Sequence, residues 1–555
     1  MVERMLVSHF FRRFFDNDTI SMDGDTQTSV VRSLSIFAVP GLVVAFFLQT
    51  SYAVWPPRPL WIAMTDQYFF VLYSFVAMGA VAIFEWAMLF PDRLDFLILS
   101  PLPLKPRQML AAKAKALARF LGLFLVGCNF FGMLMLPAVS GKYFFRHVYA
   151  HSVAVLGAGL FAVLFFLALG GILLCVLKAA WFRVALPMLQ LVSVMALALL
   201  LLLLPLFDAS LQPLLEDPSS FARYLPPFWF LGVYEKLLLG GAAPTFASPM
   251  SRDGGWGILI AAAVVLMTYP VAWSRMCRMA VEGSAGKRRK PAGWLSSLLH
   301  WAVIRRPRER AVFHFISQTM ARNNRYQIYL AIYCGTGFAL AIACALSFRT
   351  VAGTIHFALS DEGLHAMMPL LLFWVVAGLR AAFAFPMNLP AGWIFHMAGE
   401  NRDACTTAAK SWVLLSAAMV MGCIVVLLRM AGWDIRQLMV QAECGFCLAI
   451  LLVDGFFFSF RQSAPFNRPR LPGRTSLPVM LTLYVGVFPP FIFLMMNAEV
   501  WLERHPANLS LVVFVAVVLH FVLEMVRPGS EGIEEDVGED GELFQTLGLS
   551  CGSPN

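Results

Sequence analysis

The chain has 555 residues, 59% of them apolar and only 14% charged, with a formal net charge of +9 and a mean hydropathy of +0.72. Soluble domains average about 45–50% apolar and about 25% charged residues, so the composition excludes a soluble globular fold and predicts an all-α polytopic membrane protein. The last 28 residues hold seven acids and no base, leaving +16 on the remainder; in a membrane protein such an excess reads as a topology signal before a nucleic-acid signal.

Met1 to Asp16 has helical periodicity, with Leu6, Val7, Phe10, Phe11, Phe14 and Phe15 on one face and Ser8, His9, Arg12, Arg13 and Asp16 on the other. Phe opposite Arg suits a helix lying flat in the membrane interface, with packing on a soluble partner as the alternative. The first long apolar run begins near Leu34 after a polar, partly acidic stretch, which is not a signal-peptide pattern.

A spanning helix needs roughly 20 mostly apolar residues. Twelve such runs can be read, beginning near Leu34, Phe69, Ala116, Ala150, Val184 and Trp256, and then near Tyr326, Met367, Ser411, Met439, Leu477 and Leu509. Phe221 to Leu239 is not read as a span, because Pro226, Pro227, Glu235 and Lys236 interrupt it. The predicted organisation is an interfacial helix (1–33), a six-span half (34–274), a basic linker with a second interfacial helix (275–325), a second six-span half (326–526) and an acidic disordered tail (527–555). The linker holds twelve Lys or Arg against two acids. Positively charged segments prefer the cytoplasmic side, and twelve spans with both termini inside satisfy every loop.

Several segments invite sharper readings. The linker contains GKRRK and RRPRER, but no nucleic-acid recognition fold accompanies them, so contact with anionic lipid headgroups is preferred and no nucleic-acid partner is expected. GSAGKRR lacks the GxxxxGK[ST] spacing of a phosphate loop, and no nucleotide-hydrolysing domain fits anywhere in the chain. The segment Asp208 to Gly255, with YLPPFWFLGVYEKLLLG, reads as a short helix on the outer surface or as a lid over an exit path. His147 and His151 have an i, i+4 spacing that can bind metal, yet no HExxH is completed, and loop histidines are the preferred reading. Cys444 and Cys447 form a lone CxxC inside an apolar run and read as core residues. No metal site, bound cofactor or catalytic constellation is expected, and the chain is not read as an enzyme.

Pro91 to Lys115 (PDRLDFLILSPLPLKPRQMLAAKAK) interrupts the second and third runs. Asp92, Arg93 and Asp95 stud a short apolar turn, a proline-punctuated PLPLKP follows, and a helix start at Pro106 carries Arg107, Gln108, Lys113 and Lys115. Pro suits the first helical turn, where its missing N–H costs nothing. Such a short, rigid, basic piece can dock into another protein, or it can be an ordinary cytoplasmic loop.

The two halves resemble each other. ERAVFHFISQTMAR (Glu309 to Arg322), with an apolar face of Val312, Phe313, Ile316 and Met320, precedes the seventh run as ERMLVSHFFRRFF precedes the first. FPMNLPAGWIFHMAGENRDACTTAAK follows the eighth run as FPDRLDFLILSPLPLKPRQMLAAK follows the second; both open on Phe-Pro and close on Ala-Ala-Lys, at Lys410 and Lys113. Parallel repeats of six spans imply a pseudo-two-fold axis along the membrane normal.

Interfacial helix, two spans, a cytoplasmic coupling segment and four more spans resembles the layout of the ABC-type-2 exporter permeases. Their D-x-x-x-L-L-x-L-P pattern, followed by a basic residue and A-K, is similar to Asp92–Lys113 here, and Leu225 to Leu239 resembles the outer segment of some bacterial members. In the second half AGENRD replaces the LPLKPR core. The resemblance implies a permease in the plasma (inner) membrane that exports lipids, glycans, peptides or drugs. It also implies a cytoplasmic ATPase partner, as a pair of subunits, which hydrolyses the ATP. By the same resemblance, the coupling surface comprises Asp92, Arg93, Asp95, Lys105, Arg107, Gln108 and Lys113, with Arg402 and Lys410 in the second half.

Charges inside spans cost on the order of 3 kcal/mol by insertion scales and face the interior or pair. Glu85 and Arg380 lie late in the second and eighth runs, and Asp454 lies in the tenth. Glu85 and Arg380 either face each other across the pseudo-axis or are satisfied locally, and Asp454 either pairs or senses substrate. An ion-coupled secondary transporter using these three residues is the alternative function, and a membrane transferase acting on lipid-linked substrates a third.

Overall fold

A computed structural model describes residues 2–15, 26–54, 60–86, 101–140, 143–217, 220–282, 306–351, 354–383, 402–458 and 477–526. In chain order the helices are α1 (Val2–Phe15), α2 (Thr26–Val54), α3 (Leu60–Phe84), α4 (Pro106–Ser140), α5 (Phe144–Val176), α6 (Ala179–Leu202), α7 (Leu204–Glu216), α8 (Pro226–Leu239), α9 (Ala247–Glu282), α10 (Pro307–Arg322) and α11 (Asn324–Ala345). A hairpin of β1 (Leu346–Val351) and β2 (Thr354–Leu359) follows, then α12 (Asp361–Ala382), α13 (Arg402–Met430), α14 (Ile435–Phe457), α15 (Leu477–Arg504) and α16 (Leu509–Val526).

Ten of the described helices are long and apolar enough to cross a membrane. With no water to satisfy backbone groups in lipid, helices are the form these runs must take. The other two predicted runs also fall on helices, α2 with 29 residues and α15 with 28. The protein is thus an all-α polytopic membrane protein. Local signals place several helix starts. Proline occupies the first helical position of α4, α8 and α10, where it is pre-organised for the helix. Ser360 caps α12 by accepting from the Gly363 N–H.

Two local features depart from the sequence reading. The antiparallel hairpin, with Leu346 opposite Leu359 and Val351 opposite Thr354, occupies the stretch between the seventh and eighth apolar runs, to which no element was assigned. LSFRTV and TIHFAL are rich in β-branched and aromatic residues, which favour a pleated strand. The helix α8 does not lie on the surface. Pro227, Phe228, Phe230, Leu231 and Tyr234 are buried, and α8 packs against α3, α5 and α9. Tyr68 of α3 stacks on Phe228 with ring centroids 4.4 Å apart. A helix apolar on nearly all sides is driven inside rather than onto an interface.

Contacts sort cleanly by helix end. α1 lies along the start of α4, with Leu6, Val7, Phe10 and Phe14 buried and Phe14 stacked on Phe120 at 4.9 Å. The ends of α5 and α9 meet on that same face, where the Arg275 guanidinium donates to the carbonyls of Cys175 (2.6 Å) and Leu177. The α7–β2 contact and the α8 helix lie at the opposite face.

The two halves meet where α6 packs along α11, which packs equally closely on α12. Glycines set both approaches. A Cβ on Gly335 would sit 3.0 Å from Val194 Cγ1 and 3.3 Å from the Met195 nitrogen of α6. On the other side, Gly337 faces the Trp374 Cβ at 2.6 Å and Gly378 faces the Tyr333 Cβ at 2.5 Å. Gly335→Leu is expected to lower the thermal unfolding midpoint in detergent, since overpacking against backbone costs about 1–3 kcal/mol. Gly422→Ala, where a Cβ meets nothing within 4 Å, serves as the neutral control.

Candidate functional site

Two of the residues singled out in the sequence come together at the face that carries α1. Lys410, near the start of α13, reaches Asp454 near the end of α14, Nζ to Oδ1 at 2.8 Å. The same ammonium pairs with Glu524 of α16 at 2.5 Å, and Asp454 Oδ2 lies 2.5 Å from His520 Nδ1, also on α16. The Asp454 side chain is only 4% exposed, against 17% for Lys410 and 43% for Glu524. A carboxylate flanked by Gly455 and three phenylalanines is costly to bury without partners, and here it receives two. The network joins three helices by their ends. His520 and Glu524 were missed in the sequence, although their i, i+4 spacing puts both on one face of α16.

Arg380 and Glu85 occupy equivalent places, each five residues before a Phe-Pro pair, but the structure does not bring them together. Arg380 Nε donates to the Phe456 carbonyl at 3.0 Å, and the guanidinium lies 5.6 Å over the Phe457 ring. Both partners are in the last turn of α14, next to Asp454. Glu85 is 5% exposed, just beyond α3, and its Oε2 is enclosed without a hydrogen-bond partner among the described residues. Beside it Trp86 fills the groove opened by Gly170, and Gln190 of α6 donates to the Ile83 carbonyl at 3.4 Å.

Of the segment Pro91 to Lys115, the residues from Pro101 onward are described; Asp92, Arg93 and Asp95 lie outside the described residues. Lys105 N–H donates to Gln108 Oε1 at 3.1 Å, which fixes the turn that opens α4. Lys105, Arg107 and Gln108 are exposed around that turn. Lys113 is not. It is 3% exposed and lies 5.5 Å over the Phe10 ring, so it fastens α4 to α1 rather than presenting a charge. Lys115 pairs with Glu3 of α1, and its ammonium holds the Glu3 carboxyl below the usual carboxylate range. In the second half, α10 lies on α13 with Val312, Phe313, Ile316 and Met320 all buried, and Trp412 donates to Ser317 Oγ at 2.9 Å. Arg402 opens α13. Lys410 turns into the network above instead of outward.

At the opposite face, His147 and His151 are not on a loop but in the opening turns of α5, both buried. Their rings meet Tyr234 of α8 edge-on at 5.6 and 5.5 Å, and His151 also meets Phe70. Their spacing thus serves packing on one helix face. The neighbouring Glu235, 1% exposed, has its carboxyl pushed up to about 7 by burial. Cys444 and Cys447 are free thiols on α14. No protein family, curated protein or solved structure matches this chain.

Two measurements test this geometry. Removing one partner of a buried pair costs about 3–5 kcal/mol, whereas replacing both by apolar residues of similar size is often neutral. Lys410→Met or Asp454→Leu alone is therefore expected to destabilise the protein more than the double variant does, with a coupling visible in a double-mutant cycle of thermal unfolding. Glu235 binds its proton more tightly folded than unfolded, so its contribution is fully present below the unfolded pKa near 4.5 and is lost as pH rises through about 7. Glu235→Gln is expected to remove that loss of stability between pH 5 and 8, read as a flatter dependence of the unfolding midpoint on pH.

Proposed function

We propose that the chain is the membrane permease of an ATP-driven exporter, powered by separate cytoplasmic ATPase subunits. The observation that carries this reading is the seating of α1 on the start of α4, directly behind the exposed Lys105–Gln108 turn. Phe10, Phe14, Lys113 and Phe120 lock the two helices together, so a push on the turn reaches the bundle without loss in a flexible joint. α10 on α13 offers the same arrangement in the second half.

Recurring neighbours support two related six-span halves, twelve spans in all. α3 packs on α4, α5 and α6 as α12 packs on α13, α14 and α15, and α5 meets α9 as α14 meets α16. The excess of Lys and Arg in the linker supports a topology with both termini in the cytoplasm, and the proposed membrane is the plasma (inner) membrane. One chain then serves a pair of ATPase subunits, with coupling surfaces at Asp92, Arg93, Asp95, Lys105, Arg107 and Gln108 and around Arg402. ATP binding shifts the halves between inward and outward states because the ATPase binds one of them better. The apolar interior suits lipids, glycans on lipid carriers, hydrophobic peptides or drugs.

The Asp454–Lys410–His520–Glu524 network favours one competing reading, an ion-coupled secondary transporter in which Asp454 exchanges a proton or cation. The two separate in one experiment. The tagged chain is purified in mild detergent, with crosslinking, beside a variant in which Asp92, Arg93, Lys105 and Arg107 are alanine. A co-purifying ATPase that is lost from the folded variant is the expected result. Transport in vesicles without nucleotide, abolished by Asp454→Asn, would instead establish ion coupling.

A further inference from the structure

At the face opposite α1, the start of α12 meets the end of α15. His365, one turn into α12, points its Nδ1 at two carboxylates spaced i, i+4 on α15. Nδ1 lies 3.1 Å from Glu499 Oε1 and 3.7 Å from Glu503 Oε1, and all three donor atoms fall within 4.8 Å of one another. The side chains are 12%, 6% and 18% exposed respectively. The opposite side of the imidazole is fixed by Trp433, with ring centroids 4.6 Å apart, and the Gln441 amide donates to the His365 carbonyl at 3.5 Å.

Hydrogen bonding alone leaves this cluster incomplete. A proton on Nδ1 serves one acceptor, and Glu499 is at bonding distance. Glu503 Oε1 is at 3.7 Å, too far for a hydrogen bond, and is buried without another partner among the described residues. A buried carboxylate oxygen left unsatisfied is costly. Among the described residues, His365 is the single basic group within ion-pair distance of the two carboxylates, while Asp361 lies within electrostatic reach of His365. A cation at the centre of the three atoms would satisfy every one of them.

We propose that His365, Glu499 and Glu503 form a divalent transition-metal site, of the Zn²⁺ class, that clasps α12 to α15. One imidazole with two carboxylates is a borderline donor set that suits Zn²⁺ better than Ca²⁺, which takes six to eight oxygens. Zn–N and Zn–O bonds of about 2.0–2.2 Å put tetrahedral donors roughly 3.3–3.6 Å apart, and 3.1 and 3.7 Å bracket that spacing. Three protein ligands leave a fourth position open to water or to a group on a passing molecule.

The test uses the full chain in detergent, stripped with EDTA and re-equilibrated with Zn²⁺ or Ca²⁺. Bound metal is counted by mass spectrometry of the protein peak, and thermal unfolding is followed in parallel. The expected result is one Zn²⁺ per chain at micromolar free metal, with an unfolding midpoint that rises with Zn²⁺ and falls back with EDTA. Glu503→Gln keeps the His365–Glu499 contact, so it folds, and is expected to bind Zn²⁺ at least ~10-fold more weakly, the scale on which altering even a supporting partner weakens a metal site. His365→Gln is expected to abolish binding, and His151→Gln to leave it unchanged. Equal Zn²⁺ binding by the native chain and the His365→Gln/Glu503→Gln double variant would overturn the site. So would stabilisation by Ca²⁺ equal to that by Zn²⁺, which would remove the imidazole as a ligand.

Discussion

Everything in this molecule hangs on how closely α11 can be approached from two sides. In lipid, apolar side chains gain little by leaving an equally apolar solvent, so helices associate through close packing at small residues. Gly335 lets α6 reach α11 from the first half, while Gly337 and Gly378 admit Trp374 and Tyr333 at the contact with α12. The first span of the second half therefore belongs to both halves. The first long helix of the chain, α2, packs on α4 instead.

The polar groups follow from the same logic. Charges cannot be scattered along helices that pack through glycine and methyl groups, so they collect at helix ends, where several termini converge. At the α1 face, Lys410 and Asp454 tie α13 to α14, and His520 and Glu524 extend the tie to α16. At the opposite face, His365 and its carboxylates do the corresponding work between α12 and α15. Among the described residues, the first half shows fewer ionic ties. There Arg275 holds two carbonyls at the end of α5, Gln190 holds one at the end of α3, and aromatic stacking around Tyr68, Phe228 and Tyr234 replaces charge.

Much of this was legible in the sequence, and the reasons are physical. Long apolar runs declare helices because lipid allows little else, and the amphipathic faces of α1 and α10 were readable because a 3.6-residue period survives in the pattern of Phe and Arg. Proline marked the start of α4. What stayed hidden depends on distance across the fold. Lys410 was read as a docking charge and Asp454 as an intramembrane acid that either pairs or senses substrate, and nothing local says that the two meet. Glu85 and Arg380 invited pairing by equivalent position, yet Arg380 finds a carbonyl and an aromatic face nearer at hand. The hairpin escaped because six-residue strands leave little periodicity, and α8 was set on the surface because its buried neighbours come from three other helices.

The double allegiance of α11 has a consequence for how such a chain is made. Synthesis proceeds from the N-terminus, and early segments fold before later ones exist. When α11 leaves the ribosome, its partner α6 is already in the bilayer, whereas α12 has yet to emerge. The second half thus begins against a helix already present, before α12 exists to receive α11. Its first helix is placed by the half that came before it, and that helix in turn receives the next.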